Sequence, residues 1–148
     1  MKRFVWRLQR VLDIRKKEEQ KVRVELLELT ERLAQTRGEL LAQRQVLENI
    51  INGLIRENPD KRLGKQEFFL RYSAATDEQI KKLEDKVNEL ELQQRDKIAE
   101  VLKLKKFIEG MEKLRTEAKM RFIVEQEKLE QNQFDERATV SFVRKSHS

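Results

Sequence analysis

Residues 22–54 read VRVELLELTERLAQTRGELLAQRQVLENIINGL. Within this stretch Val22, Leu26, Leu29, Leu33, Thr36, Leu40, Gln43, Leu47, Ile50 and Leu54 follow one another at steps that alternate four and three. Only Thr36 and Gln43 are not apolar. Residues 80–111, IKKLEDKVNELELQQRDKIAEVLKLKKFIEGM, repeat the pattern. There Ile80, Leu83, Val87, Leu90, Gln94, Lys97, Val101, Leu104, Ile108 and Met111 hold the same steps, broken only by Gln94 and Lys97. An apolar repeat of 3.5 residues sustained over several heptads is a coiled-coil seam, and a seam needs a facing helix. The simplest partner is the other half of the same chain. The expected fold is therefore all-α, a long antiparallel two-helix coiled-coil hairpin forming a single domain over 1–148.

Working outward, Leu8, Leu12 and Val5 carry the seam upstream of Val22, while Arg15 and Glu19 occupy its next two positions and loosen it. The first helix is expected over 4–56. Asn58-Pro59-Asp60, with Gly53 before and Gly64 after, gathers the breakers and places the tip at 57–65. The second helix is expected over 66–139. Thr76-x-x-Gln79 has the form of a capping box, but Ala74 and Ala75 favour a helix that runs through it. At 1.5 Å per residue the arms measure about 80 Å and about 110 Å. Folding about the tip sets residue 4 against roughly residue 118, so the last ~20–25 helical residues lack an internal partner. They include Phe122, Ile123, Val124, Leu129 and Phe134. The tail 140–148, basic and polar, is expected to be disordered.

Composition agrees with a seam and not with a wide core. Of 148 residues 41% are charged, and mean hydropathy is −0.81. Such a chain buries its a and d side chains and leaves the rest wet. Intrinsic disorder is the competing reading of so much charge, and the ordered leucine repeat opposes it. The net charge is +6 and the isoelectric point about 9.6, which mildly favours acidic partners. There is no cysteine, hence no disulfide and no thiolate zinc site. No apolar run approaches ~18 residues, so no helix is expected to insert into a membrane. The basic start Met-Lys-Arg-Phe-Val-Trp-Arg lacks a following apolar region and does not read as a secretory signal.

Little here reads as chemistry. The single histidine, His147, near the C-terminus, is better read as a solvated side chain than as a ligand or base. Glu18-Glu19 and Asp135-Glu136 belong to charged helical faces. No glycine-rich phosphate loop, metal spacing or nucleophile–base pair assembles. No enzymatic activity and no cofactor are expected.

Basic clusters stand at Arg15-Lys16-Lys17 and Lys103-Lys105-Lys106, and folding brings 15 opposite roughly 107. They read either as a site for an acidic partner or nucleic-acid phosphates, or as helix faces paired with Glu18, Glu19 and Glu109. Phe68, Phe69 and Tyr72 follow the tip, with Val46 and Ile50 approaching from the first helix. They either close the end of the seam or form an exposed patch for a protein partner. Phe4 and Trp6 are placed to pack near Ala118–Phe122.

Three segments resemble the FliJ family, a small cytoplasmic component of the bacterial flagellar type III export apparatus. They are Phe4-x-x-Arg7-Leu8-Gln9-x-Val11-Leu12-Asp13-Ile14-Arg15, then Phe68/Phe69 with Tyr72, Ile80 and Leu83, and then Glu112-Lys113-Leu114, Glu127 and Phe134-Asp135-Glu136-x-Ala138. The resemblance implies an antiparallel two-helix coiled coil like the central stalk of rotary ATPases. It implies three partners: the hexameric export ATPase, the cytoplasmic domain of the export gate membrane protein, and export chaperones. It also implies a monomer without a nucleic-acid ligand, at the cytoplasmic face of the inner membrane. The positions matching the family's gate-facing surface are Gln43, Val46, Ile50, Phe68, Tyr72 and Thr76. Thr76 departs from the apolar residue usual there. By analogy with the rotary stalk, the ring-facing element is the unpartnered C-terminal helix with Phe122, Leu129 and Phe134. The stalk of a virulence-type secretion system and a generic dimeric coiled-coil scaffold share this architecture and stay open from sequence.

Overall fold

The computed structural model describes residues 2–146; His147 and the last residue of the tail lie outside the described residues. Two helices carry the described chain, α1 over Gln9–Ile55 and α2 over Pro59–Ser146. They pack against each other as an all-α hairpin. The chain divides into two compact units, Met1–Gln20 with Leu102–Ser148 and Lys21–Val101.

The Lys21–Val101 unit holds the heptad seam. Leu33, Leu40, Val87 and Leu90 form its core, with Ile80 and Leu83 packed against them. Leu33 is 2% exposed, and Val22 and Val101 are buried with it. Thr36 is buried as well; its hydroxyl donates to the Arg32 carbonyl at 2.8 Å, which satisfies a polar group inside an apolar stripe. Toward the other end of this unit the two polar seam positions find partners across the helices. Gln94 donates to the Thr30 hydroxyl at 3.2 Å, and the Lys97 ammonium meets Glu25 at 2.6 Å. Arg37–Glu91 at 2.7 Å and Arg44–Glu84 at 2.6 Å flank the seam and run in antiparallel register.

The turn lies lower in the sequence than the breakers suggest. Between the two helices only 56–58 are non-helical, against an expected tip at 57–65. Pro59 opens α2 instead of preceding a loop. At the first helical position a missing N–H costs nothing and φ is already suitable. The Asn58 carbonyl accepts from the Lys61 and Arg62 amides, each at 3.1 Å, and Asp60 suits the positive helix start. No described residue needs positive φ, so Gly53 and Gly64 serve no turn geometry. The Arg62 guanidinium donates back to the Leu54 and Ile55 carbonyls, at 3.4 and 3.1 Å, satisfying orphan acceptors at the end of α1. Lys65 and Glu57 close the turn at 2.8 Å. This contact, chiefly the hydrogen bond from Lys65, holds the Glu57 carboxyl below its ordinary range. α2 runs through Thr76 without a break.

In the other unit α1 begins at Gln9, not at residue 4; residues 2–6 are outside helix and the Gln9 amide donates to the Trp6 carbonyl at 3.1 Å. Leu12, 1% exposed, and Met111 fill the seam, and Glu19 is buried at the position expected to loosen it. Val5 is 82% exposed and takes no part; Phe4 packs in its place. Arg115 donates to Gln9 at 2.8 Å and lies over the Phe4 ring, while Arg15 lies over Phe107. α2 continues as helix to Ser146, through most of the tail expected to be disordered.

Candidate functional site

The Lys21–Val101 unit ends in an apolar cap built by the close of α1 and the opening turns of α2. Phe68 and Tyr72, one turn apart on α2, stack with centroids 6.1 Å apart and planes 16° apart. Phe68 is 66% exposed, and Tyr72 is half-buried. On α1, Val46 is exposed while Gln43 and Ile50 are half-buried. From the Arg44–Glu84 contact, Ile50 lies level with about residue 78 of α2. Five of the six positions matched to a gate-facing surface thus have side-chain area at this end. Thr76 does not. It is 3% exposed, and it continues the seam one step upstream of Ile80. A residue whose side chain faces α1 is no surface residue, so that assignment is corrected.

The sequence reading missed part of the cap. Ile55, Leu63 and Leu70 are all about two-thirds exposed or more. The signal was present: Leu63 and Leu70 lie seven residues apart, displaced by one from the half-buried positions Arg62 and Phe69. A second apolar heptad column beside a seam marks surface, not core.

The second surface belongs to the unit that contains the C-terminal half of α2. Every residue over 127–146 is exposed. Leu129, Phe134, Val140, Phe142 and Val143 lie there with no helix beside them, Phe134 at 73% and Phe142 at 72%. Phe122 was expected among these residues and is not one of them. Its ring tilts against Phe4 at 5.5 Å, and it is half-buried. The reason is conformation: residues 2–6 are not helical and span more length per residue, so Phe4 reaches one helical turn beyond the position near 118 that helical pairing implied. The overhang starts correspondingly later.

No group of three or more His, Asp or Glu side chains among the described residues is arranged to hold a metal ion. The concavities are helix-surface grooves; one is lined by Gln9, Leu12, Lys16, Glu112, Arg115 and Thr116, with no nucleophile–base pair. No described helix is long and apolar enough to cross a membrane.

A two-helix hairpin with an exposed apolar cap in one unit and a helix continuing beyond its partner in the other defines an all-α, coiled-coil-like protein. The sequence profile described as "Flagellar FliJ protein" matches residues 3–147. The chain belongs to the FliJ family and is a protein of the flagellar export apparatus. No curated protein and no solved structure matches it.

Proposed function

We propose that the chain is a non-enzymatic coupling element between the hexameric export ATPase and the export gate, working at the cytoplasmic face of the inner membrane as a monomer. Export chaperones are further partners on this reading. The observation that carries it is the α2 overhang: a helix 20 residues beyond the last half-buried position, wholly exposed, yet rich in large apolar side chains. Unpaired apolar helix is costly to leave in water and is suited to docking. The overhang, with Leu129 and Phe134, is the ATPase-facing element. The cap, with Gln43, Val46, Ile50, Phe68 and Tyr72, is the gate-facing one. Phe122 supports the first from inside, as the ring that holds Phe4.

Sedimentation equilibrium of the purified chain, alone and with the cognate export ATPase, tests this. The expected result is a monomer that joins the ATPase oligomer at less than one copy per subunit. A stable dimer indifferent to the ATPase would make the seam intermolecular and sink the coupling reading.

A further inference from the structure

The net positive charge of this chain is confined to one part of one unit. Residues 2–20 and 102–122 hold 14 Lys and Arg against 6 Asp and Glu, a net +8. Residues 21–101 hold 15 against 16, and residues 123–146 hold 4 against 5. The whole +6 of the chain, and more, therefore sits on the paired stretch of the unit that also bears the overhang.

Internal pairing leaves most of this charge uncompensated. Lys16 meets Glu112 at 3.1 Å, and Arg15 meets Glu18 at 2.7 Å. By contrast Lys17, Lys103, Lys105, Lys106, Lys113 and Lys119 are exposed and have no ion-pair partner among the described residues. Pairing with neighbouring glutamates accounts for the first basic cluster in part and for the second not at all.

The direction of these side chains matters more than their number. A helix turns 100° per residue. Lys103 and Lys105 thus differ by about 200° around α2, and Lys105 and Lys106 by about 100°. On α1, Lys16 and Lys17 differ by about 100° likewise. Leu12 and Met111 mark the faces that the two helices turn to each other. On α2 the lysines spread over much of the remaining circumference, and on α1 Lys17 lies about 100° around from Lys16, which is turned to Glu112. A flat anionic surface, such as a membrane or one side of a duplex, meets one face only. A charge distributed all round fits a partner that surrounds it.

We propose that the paired segment 2–20/102–122 is an electrostatic collar gripped by an encircling, carboxylate-lined protein surface. The proposal rests on the ring reading above and deepens it. It assigns the main grip on the ATPase to the collar, and leaves the apolar overhang to secondary contacts. Charge around a shaft holds it against axial escape and tolerates rotation, because no single pair has to be kept.

The test is binding of the full-length chain to the cognate export ATPase at about 0.05 M and about 0.5 M salt, where the screening length falls from well above to well below 10 Å. It compares wild type with Lys103→Gln/Lys105→Gln/Lys106→Gln and with a control, Lys81→Gln/Lys82→Gln/Lys86→Gln, in the acidic unit. All six lysines are exposed, and circular dichroism checks that helicity is kept. The expected result is binding at least about tenfold weaker in high salt and at least about tenfold weaker for the collar variant at low salt, with the control like wild type. Binding that survives salt and the collar variant overturns the collar and leaves the coupling reading standing. No binding by any chain at either salt overturns both. Competition by a DNA duplex at equal concentration overturns the proposal in favour of nucleic-acid binding.

Discussion

Lys97 stands at a seam position that an apolar residue should fill, and its ammonium reaches across to Glu25, 72 residues earlier, at 2.6 Å. Glu100 on its own helix comes within 3.5 Å. The pair is two-thirds shielded from water, enough for charge and hydrogen bonding to shift both groups. The Lys97 hydrogen bond, followed by its charge, holds the Glu25 carboxyl below its ordinary range. The Glu25 hydrogen bond raises Lys97.

The signs of these shifts set a pH window. Glu25, lowered by folding, contributes stability above its unfolded-state pKa and loses it as pH falls through the folded one. Lys97, raised by folding, contributes below its unfolded-state pKa and loses it as pH rises through the folded one. The pair is therefore complete from weakly acidic to moderately alkaline pH. We predict that Glu25→Gln lowers the melting temperature at neutral pH, and that its difference from wild type shrinks as pH falls below the ordinary glutamate range and through the lowered pKa of folded Glu25. Melting curves followed at 222 nm decide it, and a pH-independent difference would refute it.

Core and surface leucines should respond differently. Leu33→Ala empties a 2% exposed position against Leu40, Val87 and Leu90, and is expected to cost about 2–5 kcal/mol. Leu41→Ala, 64% exposed, should stay within about 0.5 kcal/mol. Urea unfolding measures both; equal losses would mean that the seam is misplaced.

At the cap, Phe68→Asp and Val46→Asp should abolish binding to the cytoplasmic domain of the export gate with helicity unchanged, because both side chains are exposed. Thr76→Asp should instead lower the melting temperature sharply, since a carboxylate there is forced into the seam. If Phe68→Asp loses helix, the aromatic cap is structural and the gate-facing assignment fails.

The ring pair is a local clasp. Phe4→Ala and Phe122→Ala should show a coupling of about 0.5–1.5 kcal/mol in a double-mutant cycle. Hydrogen exchange should quicken in residues 2–12 and leave residues 30–45 unchanged. Additive losses would mean that the rings do not meet in solution.

Deleting residues 127–148 removes only exposed positions among those described, so the melting temperature should hold within a few degrees. On the collar proposal, this truncation weakens ATPase binding less than the triple glutamine variant does. A titration of both variants against the ATPase ranks them.

Much of the seam was legible because its signal is redundant. Leu33, Leu40, Val87, Leu90, Val101 and Met111 are buried where a strict 3.5-residue count puts them, and no single residue had to be read correctly. The turn was harder because proline carries two meanings. It breaks a helix from within and starts one from its first position, and Asn58-Pro59-Asp60 is consistent with both. Thr76 was misread as surface because the resemblance placed it there, although its step of four to Ile80 already set it on the seam. Phe122 was misread because residues 2–6 are not helical and span more length per residue than a helix does, which carries Phe4 past the position that helical pairing implies. The cap could be located but not outlined, since the outward column of Leu63 and Leu70 becomes visible only once the inward column is known.

The Gln9–Arg115 contact has a consequence for the chain during its synthesis. The two residues are 106 positions apart. At ordinary rates of translation the later one is made roughly 5–20 s after the earlier. Through that interval Leu12, 1% exposed in the finished molecule, has no partner helix to cover it. The heavy charge around it, Arg10 and Arg15 through Lys17, keeps the nascent arm soluble during that wait.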